Sequence, residues 1–149
     1  RPWETHIGGY NTVVKEDGRF RMWYDFIPPE GDPSGITRGV AYAESNDGIN
    51  WEKPDIGLVE ICGNKNNNVV IPRIPNAPRG ETEGGTVLLD TNPDCLPHEK
   101  YKFWTKIRGI PEEDVARGMT GAFWQMYSSD GIYWNVYGDR VDTQIDILR

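Results

Sequence analysis

Ala43-Glu44-Ser45-Asn46-Asp47-Gly48-Ile49-Asn50-Trp51 returns 83 positions later as Met126-Tyr127-Ser128-Ser129-Asp130-Gly131-Ile132-Tyr133-Trp134. Each copy joins an Asx side chain to a glycine that can take positive φ, the chemistry of a tight β-hairpin, and sets a tryptophan three residues beyond the glycine, where it can fold back over the turn. An Asp-Gly pair alone marks only a generic hairpin. What makes this one part of a repeat is the strand upstream of it. Arg19-Phe20-Arg21-Met22-Trp23-Tyr24 matches Lys100-Tyr101-Lys102-Phe103-Trp104-Thr105, an alternation of basic and large apolar side chains offset by 81 positions. Alternation of this period is that of a two-faced strand, and the order of the two matched elements is preserved.

A weaker pair completes the unit: Gly9 to Val14 precedes the first basic–aromatic strand, and Gly85 to Asp90 precedes the second. Each unit therefore reads as an inner apolar strand, an amphipathic strand, and a third strand such as Gly39 to Ala43 or Thr120 to Met126. An outer strand follows the Asp-Gly turn. Four antiparallel strands per repeat is a propeller blade, so the expected fold is all-β, a partial β-propeller over 1–149. The expected limits are blade one over about 5–60, blade two over about 80–138, and the start of a third blade over 139–149. The unit exceeds the ~40–50 residues of common propeller repeats, the excess lying in Gly/Pro-rich loops such as Pro28 to Gly35 and Ile71 to Gly84. Helix is expected only as a short excursion at Pro111 to Arg117, with proline first and acids in the first turn.

Composition narrows the function. With 23 acidic and 16 basic residues the formal charge is -7, which repels phosphate backbones and anionic lipid, so neither nucleic acid nor membrane is an expected partner. The apolar runs, such as Thr86 to Leu89, are far shorter than the ~20 residues of a membrane span, so a soluble protein is expected. The chain opens at Arg1-Pro2-Trp3-Glu4 without a leader pattern, as a mature or excised segment would. Cys62 and Cys95 both lie in turn-rich surroundings. A disulfide between them is one reading; two unpaired thiols is the favoured one, because two cysteines make no framework and neither has metal-ligand spacing.

Arg1-Pro2-Trp3-Glu4, Arg21-Met22-Trp23-Tyr24, the run from Ser45 to Glu60 and the Asn-rich stretch after it resemble bacterial proteins with the N-terminal propeller of invertase-type glycoside hydrolases. The resemblance extends over nearly the whole chain, through Asp90 to Tyr101 and into Gly138 to Gln144. It implies the five-bladed invertase, levansucrase and arabinanase type of propeller, of which this chain holds about two blades and is a fragment. An unclosed propeller presents open strand edges, which implies that the remainder of the same propeller, or identical copies, covers them.

The resemblance also implies a function: hydrolysis of glycosidic bonds by paired carboxylates on the innermost strands, with an oligo- or polysaccharide as partner and no cofactor; the sequence does not fix the compartment, an extracellular or periplasmic one being favoured. An oxocarbenium-like transition state needs an anion on one side and a proton donor on the other. The first inner strand, His6 to Val14, departs from the family pattern, since it has no Asp or Glu and the chain has no Asn-Asp-Pro tripeptide. The candidate catalytic carboxylates are Glu83, beside Gly84 and Gly85 where backbone can approach a ligand, and Asp142, with Asp146 competing. Candidate sugar contacts are Trp3, as a stacking surface outside the repeat, and His6, Tyr10, Asn11 and Gln144 as hydrogen-bonding groups. Asp90 is expected to cap the turn Asp90 to Pro93. No metal is expected, because no Asp/Asn-rich loop has ligand spacing. A glycan-binding propeller without catalysis and a structural module that closes through its edges are the competing readings.

Overall fold

In a computed structural model, strands β1 (His6–Ile7), β2 (Thr12–Glu16), β3 (Arg19–Ile27), β4 (Gly39–Ser45) and β5 (Val69–Ile71) form one antiparallel sheet. Strands β6 (Thr82–Leu89), β7 (Tyr101–Ile107), β8 (Ala122–Ser128), β9 (Asn135–Val136) and β10 (Val141–Asp142) form a second. The structure describes residues 1–73, 82–107, 112, 116, 122–137 and 141–142. The expected helical excursion at Pro111 to Arg117 lies largely outside them. The all-β expectation holds, with a 3₁₀ turn at Pro97–Glu99, and the two described residues of the expected excursion, Glu112 and Ala116, are helical. No helix of the described residues is long and apolar enough to cross a membrane.

The two sheets are built alike. In the first, β3 pairs with both β1 and β2 on one side and with β4 on the other, and β4 carries β5. In the second, the order β6-β7-β8-β10 repeats that arrangement, with β9 also on β8. This corrects two expected boundaries. Val69–Ile71 pairs with β4, so the first unit runs past residue 60. Val141 lies opposite Phe123 and Asp142 opposite Ala122, so these residues are the outer strand of the second sheet and not the inner strand of a third.

The sheets pack face to face through Trp23, Val40, Tyr42, Val70 and Ile71 from the first and Val87, Tyr101, Phe103, Trp124 and Met126 from the second. The second strand of each sheet shows how position modifies pattern. In β7 the apolar Tyr101 and Phe103 are buried and Trp104 and Lys106 are exposed, the alternation of a strand with one covered face. In β3 the run Trp23 to Phe26 is buried throughout, because Trp3, Ile36 and Ile61 cover the far face of the first sheet as well.

The Asp-Gly turns match bond for bond. Asp47 Oδ1 accepts the amides of Ile49 (2.8 Å) and Asn50 (2.7 Å), and Asp130 Oδ1 those of Ile132 (2.8 Å) and Tyr133 (3.0 Å). Ser45 and Ser128 hydroxyls accept the Gly48 and Gly131 amides, each at 2.9 Å. The indoles of Trp51 and Trp134 donate back to the Gly48 and Gly131 carbonyls at 3.2 and 3.1 Å. Both glycines have positive φ, +77° and +78°. The turns are wider than the tight hairpins expected, since pairing resumes only at Glu44 opposite Glu52 and at Tyr127 opposite Asn135. The aspartate carboxylates, not strand pairing, hold the intervening backbone.

Candidate functional site

Both inner strands are broken at the same end of the molecule. On the edge of β3, Thr12 lies opposite Trp23 but Ile7 lies opposite Phe26, so Gly8 to Asn11 bulge out against Tyr24 and Asp25. In the second sheet the register shifts between Thr82 and Gly85, a bulge occupied by Glu83 and Gly84. The loop over Pro28 to Arg38 rises from the same end, where β3 stops and β4 starts.

Asp25 pins the first bulge. Its backbone N–H donates to Asn11 Oδ1 at 3.3 Å, and its carbonyl accepts the Gly8 amide at 2.9 Å. The carboxylate is 0% exposed and takes a forked ion pair from Arg38: Nε lies 2.8 and 2.9 Å from its two oxygens and Nη2 2.5 Å from Oδ2. A buried carboxylate without such a partner would cost several kcal/mol, about 3–5 when one member of a pair is removed. Gly8 is required for the approach, since a Cβ there would stand 1.8 Å from Asp25 Oδ2. Asp25 is the residue the sequence reading missed, and the signal was present. At the 81-residue offset, Trp23 meets Trp104 and Arg21 meets Lys102, but Asp25 meets Lys106.

The bulges meet through Tyr10, which is 63% exposed and whose Cβ and inner ring carbons lie against Gly84. A Cβ at Gly84, which has φ +77°, would stand 2.4 Å from Tyr10 Cβ and 2.9 Å from the ring carbons Cγ and Cδ2. Gly85 is filled in the same way by Phe103 and the Trp104 carbonyl. The two glycines, expected to open backbone to a ligand, instead admit protein atoms. Beside the first bulge, His6, Thr5 and Thr37 border a cleft of about 620 Å³ with an apolar wall of Ile27, Pro28 and Pro29. That volume is within the ~300–1,000 Å³ usual for small-molecule sites. Asp32, on the cleft rim, is held down at a pKa of about 2 by hydrogen bonds from Ser34 and then Cys62, so it is an anion at neutral pH.

The other expected site residues are dispersed. Trp3 is 3% exposed and meets Phe26 edge-on, with ring centroids 5.0 Å apart, so it belongs to the core and presents no stacking face. His6 and Asn11 are exposed at the bulged end, Asn11 with its carbonyl engaged by Asp25. Glu83 has its backbone in the β6 bulge, and Gln144, like Asp146, lies outside the described residues. Asp142 is at the same end as Glu83 but on the opposite edge of the sheet, in the row Asp142, Ala122, Ile107, Thr82. Three strand spacings put their backbones ~14 Å apart. Asp90 does cap its turn, accepting the Asn92 amide at 2.9 Å. Cys62 and Cys95 are both free thiols. Among the described residues no group of three or more His, Cys, Asp or Glu side chains is placed to hold a metal ion.

Over 139 residues, 93% of this chain, the sequence is 33% identical to the uncharacterized protein MT1551 of Mycobacterium tuberculosis (strain CDC 1551 / Oshkosh), of which the match spans 36%. A match of 66 residues, 44% of this chain, is 32% identical to the uncharacterized protein Rv1502 of Mycobacterium tuberculosis (strain ATCC 25618 / H37Rv) and spans 22% of it. The chain thus spans about a third or less of the length of the curated relatives it matches. No family model matches the sequence. No solved structure matches it.

Proposed function

We propose that the two sheets are consecutive blades of a five-bladed β-propeller of the glycoside hydrolase-like kind, and that their bulged end binds carbohydrate through Tyr10. The observation that carries this reading is Tyr10, seated by its Cβ and inner ring carbons against Gly84 and 63% exposed to solvent. Sugar rings lay their C–H faces on such rings, and a preformed platform loses little side-chain entropy on binding. His6 and Asp32 border the adjacent cleft and offer a donor or acceptor and an anionic acceptor to hydroxyl groups. Asp25 contributes by position, holding the bulge that sets Tyr10 on Gly84.

The reading is binding rather than hydrolysis by this chain. Asp25 is neutralised by Arg38 and closed to solvent, and the first inner strand, His6 to Val14, has no Asp or Glu. Hydrolysis remains open to the longer relatives. One of them is about 390 residues long, since 139 matched residues are 36% of it, and at 81–83 residues per unit it has room for about five blades. Carboxylates on the other blades would then complete a site at the same end.

Titration of the full chain with soluble oligosaccharides, by calorimetry and by affinity electrophoresis through embedded polysaccharide, tests the proposal. Binding is expected, weakened about tenfold by Tyr10→Ala with the circular dichroism spectrum unchanged. Undiminished binding by Tyr10→Ala, no binding by the unaltered chain, or release of reducing ends by this chain alone would each reject it.

A further inference from the structure

Aspartate followed by glycine occurs three times in the chain, at Asp17-Gly18, Asp47-Gly48 and Asp130-Gly131. In such a pair the side-chain carboxyl and the next backbone nitrogen are the two ends of a five-membered ring, and glycine has no Cβ to obstruct their meeting. Two of the pairs are held against that closure. The Gly48 and Gly131 amides are committed to the Ser45 and Ser128 hydroxyls, each at 2.9 Å, and those hydroxyls donate in turn to Oδ1 of Asp47 and Asp130 at 3.0 Å. The same carboxylate oxygens accept the amides two and three residues on. Gly131 is fixed further by Trp23, whose indole N–H donates to its carbonyl at 2.7 Å. Closure proceeds from the neutral acid, which loses its hydroxyl as water, and both carboxyls are kept ionised. The amides of Asn50 and Ile49 hold the Asp47 carboxyl far below the usual carboxylate range. At Asp130 burial acts the other way, and the amides of Tyr133 and Ile132 outweigh it. Asp17-Gly18 has none of these restraints. It is the two-residue turn between β2 and β3, with Glu16 opposite Arg19; both turn residues are exposed, at φ +48° and +83°. Among the described residues neither the Asp17 carboxylate nor the Gly18 amide makes a hydrogen bond, and nothing lies within 4 Å of where a Gly18 Cβ would stand.

We propose that Asp17 is a site of spontaneous isoaspartate formation, and that the turns of Asp47 and Asp130 protect those two residues from it. The Gly18 nitrogen attacks Asp17 Cγ, the N–Cγ bond forms, and the carboxyl hydroxyl departs with the amide proton as water, leaving a cyclic imide. Water then adds to one of the two ring carbonyls. Cleavage of the new N–Cγ bond restores aspartate. Cleavage of the bond between the nitrogen and the Asp17 main-chain carbonyl carbon instead routes the main chain through Cβ and Cγ and frees the α-carboxylate, so that no reactant besides water is needed. The product has one more atom in the main chain of a two-residue turn, directly after Glu16. That residue ties the hairpin to the second sheet: it accepts the Tyr101 hydroxyl, and its Oε1 lies 2.6 Å from Lys100 Nζ. Isomerisation at Asp17 therefore loosens the joint between the sheets at the end opposite the bulges. The inference rests on the three turns and not on carbohydrate binding, so the two readings fail separately.

Prolonged incubation of the full chain at physiological temperature, once folded and once in urea, tests it, with peptide mapping by mass spectrometry under fragmentation that distinguishes isoaspartate from aspartate. In urea the three Asp-Gly pairs are expected to convert at similar rates. In the folded chain Asp17 should convert at least about tenfold faster than Asp47 or Asp130, whose hydrogen bonds must break before the ring can close. Conversion of Asp47 or Asp130 at the pace of Asp17 in the folded chain, or an Asp17 as slow as they are, would overturn the proposal. The isomerised chain, separated by ion exchange, is expected to exchange its amide hydrogens over 100–102 faster than the unmodified chain. Equal exchange in the two forms would refute the link through Glu16.

Discussion

Gly131 and Gly48 are two glycines in the same turn with different neighbours, so one substitution made at each separates the turn from the sheet-to-sheet contact. Alanine at either position must adopt positive φ, which costs ~1–2 kcal/mol for an L-residue, partly offset by ~0.4–1 kcal/mol from a stiffer unfolded chain. At Gly48 that is nearly the whole effect, because the nearest atom to the new methyl is a Phe20 ring carbon at 3.6 Å, an ordinary contact. The methyl at Gly131 would stand 2.5 Å from Trp23 Cζ2, in a buried interface. Relieving that overlap costs a further ~1–3 kcal/mol and endangers the Trp23 indole bond to the Gly131 carbonyl, itself worth ~1 kcal/mol. Gly48→Ala is thus expected to destabilise by about 1 kcal/mol and Gly131→Ala by about 3–4 kcal/mol. Urea unfolding followed by tryptophan fluorescence measures both, with Gly18→Ala as a control, since that glycine also has positive φ and nothing within 4 Å of the added methyl. Equal losses at Gly48 and Gly131, within about 0.5 kcal/mol, would refute the argument that the second turn is seated on Trp23.

Three further outcomes follow from the bulged end. Asp25→Ala leaves Arg38 against a buried void and is expected to cost about 3–5 kcal/mol, with much of that loss recovered in Asp25→Leu with Arg38→Met; chemical denaturation of the single and double variants checks the coupling. Asp32 has a pKa of about 2, below the ordinary 3.8, so its stabilising contribution is complete above that ordinary value and is lost as pH falls from there through about 2. Acid unfolding of Asp32→Asn should accordingly show a shallower pH dependence than that of the unaltered chain across this window. The Cys62 thiol is pushed up by its hydrogen bond with Asp32, so its reaction with a disulfide reagent should be slow at neutral pH, quicken as pH rises, and quicken at fixed pH in Asp32→Asn.

The elements that were legible in the sequence are those whose signal is local. Asp47-Gly48 and Asp130-Gly131 specify their turns through their own side chains and φ angles. The alternation from Arg19 to Tyr24 and from Lys100 to Thr105 marks strands regardless of what covers them. Where neighbours decide, the reading failed. Val141 and Asp142 look like the start of a new unit, yet the backbone of β8 has an open edge to pair with and takes them as its outer strand. Trp3 stands outside the repeat and so carries no pattern to say which face it meets; the far face of the first sheet, with Phe26 at its centre, takes it into the core. Glycine announces that a Cβ is missing but not whose atoms use the space, which is why Gly84 suggested a ligand and holds Tyr10.

Asp25 illustrates a different rule. A repeat constrains each position twice, so a position where the two copies disagree in charge is one where the shared scaffold is not the reason for the residue. The strand that carries Asp25 matches its counterpart in alternation, in basic residues and in tryptophan, and reverses only here, to Lys106. A lone carboxylate between Tyr24 and Phe26 must be paired to survive burial, and its partner, Arg38, comes from the loop at the bulged end and not from the repeat. The ion pair therefore ties a loop and a broken inner strand to an element that is otherwise generic. That is how a repeated architecture acquires one end unlike the other, and it is why Asp25, rather than the more exposed carboxylates, marks where the first sheet has been specialised.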